Sequence, residues 1–128
     1  MGAVDEGAAR VLALALENAQ ARVYDVNVAN GWFEDDRTVG DDIALLHTEV
    51  SEMFEAYRDG GLRDMTRRLK NPQPGELAKP EGFGSEAADV LIRLLDTCKR
   101  RDVDLAWEFE RKLAFNETRG HKHGGKTI

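Results

Sequence analysis

The sequence predicts an all-α protomer of the four-helix-bundle type, and three observations carry that expectation. Apolar residues recur at steps of three and four in four separate stretches. No stretch alternates apolar and polar residues in the manner of a half-buried strand. Gly31, Gly60, Gly61 and all three prolines fall between the periodic stretches, where chain breaks belong.

The first helix is expected from about Ala8 to Asn30, because Leu12, Leu16, Ala19, Val23 and Val26 share a face and Gly31 supplies a stop. Thr38 and Asp41 form a start close to a capping box. Beyond them Ile43, Leu46, Val50, Met53, Phe54 and Tyr57 make one stripe of a second helix running to about Asp59. Gly60 and Gly61 end it. From Leu62 to Gly84 the composition shifts: a short helical turn is expected at Asp64 to Leu69, then a loop at about residues 70–84 that holds Pro72, Pro74 and Pro80. Ser85 is the expected N-cap of a third helix, whose apolar residues from Ala87 to Cys98 spread over roughly 200° of the helical wheel. Such a width implies burial on two sides, and hence completion of the bundle by oligomerisation. A fourth helix from about Asp104 to Phe115 presents Leu105, Trp107, Phe109, Leu113 and Phe115, with Trp107 expected in the core, and residues 120–128 form a basic, glycine-containing tail.

At 128 residues, 41% of them apolar and 33% charged, the chain reads as one domain spanning 1–128, able to bury a core without disulfides. Cys98, the single cysteine, is expected as a small core hydrophobe. Eighteen Lys and Arg against 24 Asp and Glu leave a net charge of -6, the wrong sign for DNA, RNA or an anionic membrane surface. No run is apolar enough to span a bilayer and the first residues lack a basic signal-peptide start, so a cytoplasmic protein is expected.

The chemistry concentrates in acids. Advancing 100° per residue along the second helix sets Glu49 at the border of the buried stripe and Glu52 one step further out, while Glu55 points further towards solvent. Residues three apart lie about 5–6 Å from each other at Cβ, close enough for their oxygens to converge on one cation. Glu86 and Asp89 repeat that spacing on the third helix. Two such pairs meeting across a helix interface supply the oxygen ligands that Mg²⁺ prefers. The competing reading is a solvated face, with Asp89 and Arg93, and Asp96 and Arg100, as i,i+4 salt bridges.

The stretches GWFEDDRTVGDDIALLHTEVSEMFEAYRDG, KPEGFGSEAADVLIRLLD and KLAFNETRGHKHGGK, in that order, resemble the MazG-type all-α nucleoside triphosphate pyrophosphohydrolases over roughly residues 31–126. The resemblance implies a helical protomer that forms a homodimer or a dimer of dimers. It implies Mg²⁺-dependent conversion of a nucleoside or deoxynucleoside triphosphate to the monophosphate and pyrophosphate, with Mn²⁺ able to substitute. The family's metal ligands map onto Glu49, Glu52, Glu86 and Asp89, with Glu52 the candidate base for a metal-activated water. Thr48 stands where the family pattern often has its first Glu, and the spacer, residues 53–85, is longer than the usual pattern.

A triphosphate also needs cations and a stacking surface. Lys112, Asn116 and Arg119 recur at steps of four and three and share a face, which the resemblance assigns to phosphate, sugar or base. His123 and Lys126 lie on the glycine-containing tail, where donors can fold over phosphate, and Trp32 lies just before the second helix, placed to stack on a base or ribose. The alternative from a different class is a non-catalytic helical oligomerisation or regulatory module whose carboxylates are only a solvated face.

Overall fold

The structure of the chain, a computed structural model, describes residues 5–31 and 36–120. Its element order is α1 (Glu6–Ala29), α2 (Val39–Gly60), α3 (Phe83–Arg100) and α4 (Leu105–Thr118), and no strand occurs among the described residues. The fold is therefore all-α with four helices, as the periodicity predicts. Among the described residues, no helix is long and apolar enough to cross a membrane.

Each start has a local cause. Asp5 caps α1 by accepting from the Ala8 amide at 3.0 Å, two residues ahead of the expected start. At α2 the capping box is complete: Thr38 Oγ1 accepts from the Asp41 amide at 3.1 Å, and Asp41 Oδ2 accepts from the Thr38 amide at 2.9 Å. Those bonds, led by the one from the Thr38 backbone, hold the Asp41 carboxyl below the usual carboxylate range. Asp104 caps α4 through the Trp107 amide. Gly61, at φ 63°, lets the chain leave α2 in a conformation that side chains disfavour.

Two local expectations are corrected. Residues 64–69 form no helical turn; Asp64 instead pairs with Gly82 in an isolated antiparallel bridge. That bridge brings the chain into α3 early, so the helix begins at Phe83 and Ser85 lies inside it, its hydroxyl donating to the Pro80 carbonyl at 3.1 Å rather than capping. Gly82 makes the crossing feasible. At φ 118° it sits where a Cβ would lie 2.7 Å from the Arg63 carbonyl oxygen.

The chain divides into two compact units, Met1–Trp32 with Leu95–Ile128, and Phe33–Leu94. In the first, α1 and α4 pack together, with Ala106 and Ala114 buried on α4. The end of α3 adds buried Leu95 and Cys98, and its Leu95 carbonyl accepts from the Gln20 amide group on α1. Burial raises the Cys98 thiol, in keeping with a core role. Trp107 corrects its expectation, since its side chain is outward, 55% exposed, with the Arg111 guanidinium 4.3 Å from the ring centroid. The buried residues of α4 are the alanines Ala106 and Ala114, whereas its aromatics are about half exposed. In the second unit Asp42 is fully buried near the start of α2, with Arg37 Nε 3.8 Å away. Tyr57 on α2 meets Phe83 on α3 edge to face, with ring centroids 6.4 Å apart.

Candidate metal centre on α2 and α3

Helical spacing places Glu49 and Glu52 one turn apart on α2, and α3 brings Glu86 to them. One carboxylate oxygen from each of Glu49, Glu52 and Glu86 lies within 4.8 Å of the other two. Asp89 is outside that three-oxygen group but belongs to the same electrostatic cluster, because the charge of Glu49 raises it and a hydrogen bond joins it to Glu86. Two carboxylate pairs from separate helices thus meet as their spacing predicts, with Asp89 more peripheral than the other three.

Acids gathered this way resist ionisation. Loss of water on packing, followed by the hydrogen bond and the charge of Glu49, raises the Glu52 carboxyl above its ordinary range. Loss of water also raises Glu86, with added repulsion from Asp89 and Glu49 and partial relief from Lys79. Asp89 is raised for the same first reason, then by Glu49, against the pull of Arg93 and Lys79. Cations therefore adjoin the cluster from two directions. Arg93, expected as an i,i+4 partner of Asp89, lowers that carboxyl by its charge and also reaches across to α2, where its Nη2 and Nε donate to Glu49 Oε1 at 2.9 and 3.2 Å. Both side chains are mostly buried there. The other expected pair forms within its helix, Arg100 Nε to Asp96 Oδ2 at 3.2 Å.

A cavity of about 420 Å³ opens beside the cluster, with Glu52 and Glu86 in its wall. Glu55, Asp59 and Glu81 add three more carboxylates, and Arg67 lines it from the segment between α2 and α3. Sequence reasoning set Glu55 outside the ligand group, which agrees with its absence from the three-oxygen set, and did not single out Asp59, Glu81 or Arg67. The signal for them lies in the bridge between Asp64 and Gly82, a contact across a segment whose pairing no local pattern announces.

The expected substrate-binding residues are placed as follows. Lys112, Asn116 and Arg119 lie at the end of α4, in the unit that does not contain the carboxylates. Lys112 Nζ and the Arg119 guanidinium each lie 5.8 Å from the Phe115 ring centroid, so the two cations do share a face. Trp32, His123 and Lys126 lie outside the described residues. Thr48, at the position where the resemblance leads one to look for another acid, donates back to the Ala44 carbonyl at 3.1 Å and is exposed.

A donor set made wholly of carboxylate oxygens suits a hard divalent cation such as Mg²⁺, and offers no nitrogen or sulfur that would favour zinc. Comparison with protein families, characterised proteins and solved structures gives no significant match to the chain.

Proposed function

We propose that the protein is a Mg²⁺-dependent pyrophosphohydrolase that converts a nucleoside or deoxynucleoside triphosphate to its monophosphate and pyrophosphate. The observation that carries this reading is the convergence of Glu49, Glu52 and Glu86 from two helices onto one point, at the edge of a cavity large enough to admit part of a nucleotide. The resemblance of three ordered sequence stretches to the MazG-type enzymes supports it.

In this reading Glu49, Glu52 and Glu86 hold the metal and Asp89 completes the donor set. Bound there, Mg²⁺ supplies charge neutralisation for the phosphates and acidifies water. Glu52 accepts the proton of the water that attacks the α-phosphorus, the bond from that phosphorus to the bridging oxygen breaks, and pyrophosphate leaves. Arg93 offsets one negative charge of the cluster and fixes the Glu49 side chain. Lys112, Asn116 and Arg119 contact phosphate, sugar or base, with Trp32, His123 and Lys126 completing the substrate contacts. The protomers form a homodimer or a dimer of dimers, supported by the exposure of Trp107, Phe109, Leu113 and Phe115 along α4.

The test is a panel of nucleoside and deoxynucleoside triphosphates assayed with and without Mg²⁺ for pyrophosphate and orthophosphate separately. Mg²⁺-dependent pyrophosphate with stoichiometric monophosphate is the expected result. Orthophosphate as the released product replaces the reading with a phosphohydrolase, and no product from any triphosphate leaves the oligomerisation module in its place.

A further inference from the structure

The carboxylate cluster poses a problem that the metal alone does not solve. The cavity wall carries Glu52, Glu55, Asp59, Glu81 and Glu86, so a polyphosphate entering it meets five acids. Arg67 is the cation in that wall.

Its backbone is held firmly for a residue between helices. The Met65 amide donates to the Glu81 carbonyl at 2.8 Å, the Glu81 amide donates to Thr66 Oγ1 at 3.1 Å, and the Thr66 amide donates to Asp64 Oδ1 at 2.9 Å. Met65 also packs against Gly60, whose missing side chain leaves room for the thioether. These ties fix the chain immediately before Arg67 to the end of α2 and to the residues just before α3. The side chain itself is uncommitted: it is 92% exposed, and its contact with Glu81 is a long 3.9 Å. An ion pair that exposed and that long contributes little to stability. Arg67 therefore combines a fixed root with a mobile guanidinium, in a cavity it shares with two of the three converging carboxylates. A planar fork of donors is the group best matched to phosphate oxygens.

We infer that Arg67 is a substrate-positioning residue that grips the polyphosphate of the nucleotide in the cavity it shares with Glu52 and Glu86. The assignment rests on the pyrophosphohydrolase reading and names a contact that reading does not contain. In the free protein Glu81 is the resting partner of the guanidinium, and substrate phosphate replaces it.

Steady-state kinetics on the full chain with Mg²⁺ and a triphosphate that the wild type turns over, read as pyrophosphate release, decide the matter. Arg67→Met should raise KM on the order of tenfold, the scale of one charge-assisted hydrogen bond, with kcat changed by less than about twofold. Its melting temperature should match the wild type, and Arg67→Lys should recover part of the KM. Glu81→Gln should lower KM, because it frees the guanidinium and removes a repelling charge. A purely structural ion pair predicts that Arg67→Met and Glu81→Gln shift KM alike, and that result overturns the inference. So does wild-type KM in Arg67→Met. A wild type that releases no pyrophosphate from any triphosphate overturns the pyrophosphohydrolase reading and the role of Arg67 together, so the two failures are read from different proteins in the same assay.

Discussion

The helix pair α1 and α4 and the helix pair α2 and α3 use opposite means of association. Between α1 and α4 the contact is made by small residues, Ala106 and Ala114, with the larger side chains turned outward. Between α2 and α3, side-chain tips meet: Arg93 on Glu49, and Tyr57 against Phe83. Beside them lie four acids, of which Glu52, Glu86 and Asp89 are raised above their usual range. A cavity of about 700 Å³ nevertheless opens between α1 and α4, with Ala9, Ala13, Ala106 and Trp107 in its wall. Like charges held at a seam lower stability, and Arg93 and Lys79 offset part of that cost here. The comparison teaches that the two pairs differ in the chemistry of their contacts: small apolar side chains are buried on α4, whereas charged and aromatic tips join α2 to α3.

The sharpest way to break the comparison is to remove Arg93. Arg93→Met leaves Glu49 largely buried among like charges, and should destabilise the metal-free protein by about 3 kcal/mol. Glu49→Gln in the same chain should return much of that loss, because the stranded charge is then gone. Urea unfolding of the single and double variants measures both.

Next in size are the acids themselves. Glu52→Gln or Glu86→Gln should each cut Mg²⁺-dependent pyrophosphate release on the order of tenfold to a hundredfold, with Asp89→Asn at the lower end because it lies outside the three-oxygen group. The same two Gln variants should melt higher than the wild type without metal, since they remove repulsion. On the other pair the expectation inverts. Ala114→Leu should destabilise by about 1–3 kcal/mol through overpacking, while turnover per folded molecule stays at the wild-type level.

A smaller effect distinguishes the pairs through pH. Glu52, Glu86 and Asp89 bind protons more readily folded than unfolded, starting from ordinary values of 4.5 for Glu and 3.8 for Asp. Folding therefore takes up protons in that interval, and their contribution to stability falls as the pH rises through the raised values and stays low above them. Asp41 and Asp64, both lowered by hydrogen bonds, act in the opposite sense and lose stability as the pH falls. Comparing wild type with a Glu52→Gln, Glu86→Gln double variant isolates the cluster: the melting-temperature gap should widen from pH 4.5 to pH 7 and close when Mg²⁺ is added to the wild type. The smallest expected change belongs to α4, where Arg111→Ala removes an exposed cation–π contact with Trp107 and should cost about 0.5–1 kcal/mol.

The helices were legible because their causes are local. The capping box of Thr38 and Asp41, the glycine stop at Gly61 and the apolar stripes all act within a few residues. The carboxylates were legible for the same reason, since spacing on a helix determines which side chains share a face. What escaped depends on chain segments meeting at a distance. Arg93 has Asp89 one turn before it, and its guanidinium also reaches Glu49, a partner visible only once α2 and α3 lie side by side. Ser85 has the chemistry of an N-cap, yet the helix starts three residues earlier, directly after the bridge at Gly82. Trp107 looked like core because aromatics and aliphatics alternate with polar residues along α4, a pattern that does not say which side meets α1.

The tie between Asp64 and Gly82 also divides the inter-helix segment into parts with different freedom to change. Residues near the tie carry hydrogen bonds that orient Arg67, and Gly82 has no room for a Cβ. The stretch between them runs through exposed Asn71, Gln73 and Leu77, and at Gly75 a Cβ would meet nothing within 4 Å. With both ends already pinned, lengthening that stretch costs only loop-closure entropy, about 0.6 kcal/mol for each doubling. The span around Gly75 is thus a permissive insertion point: relatives of this chain can differ there in length and sequence, and a reporter peptide or affinity tag can be grafted there, while the carboxylates of α2 and α3 keep their positions.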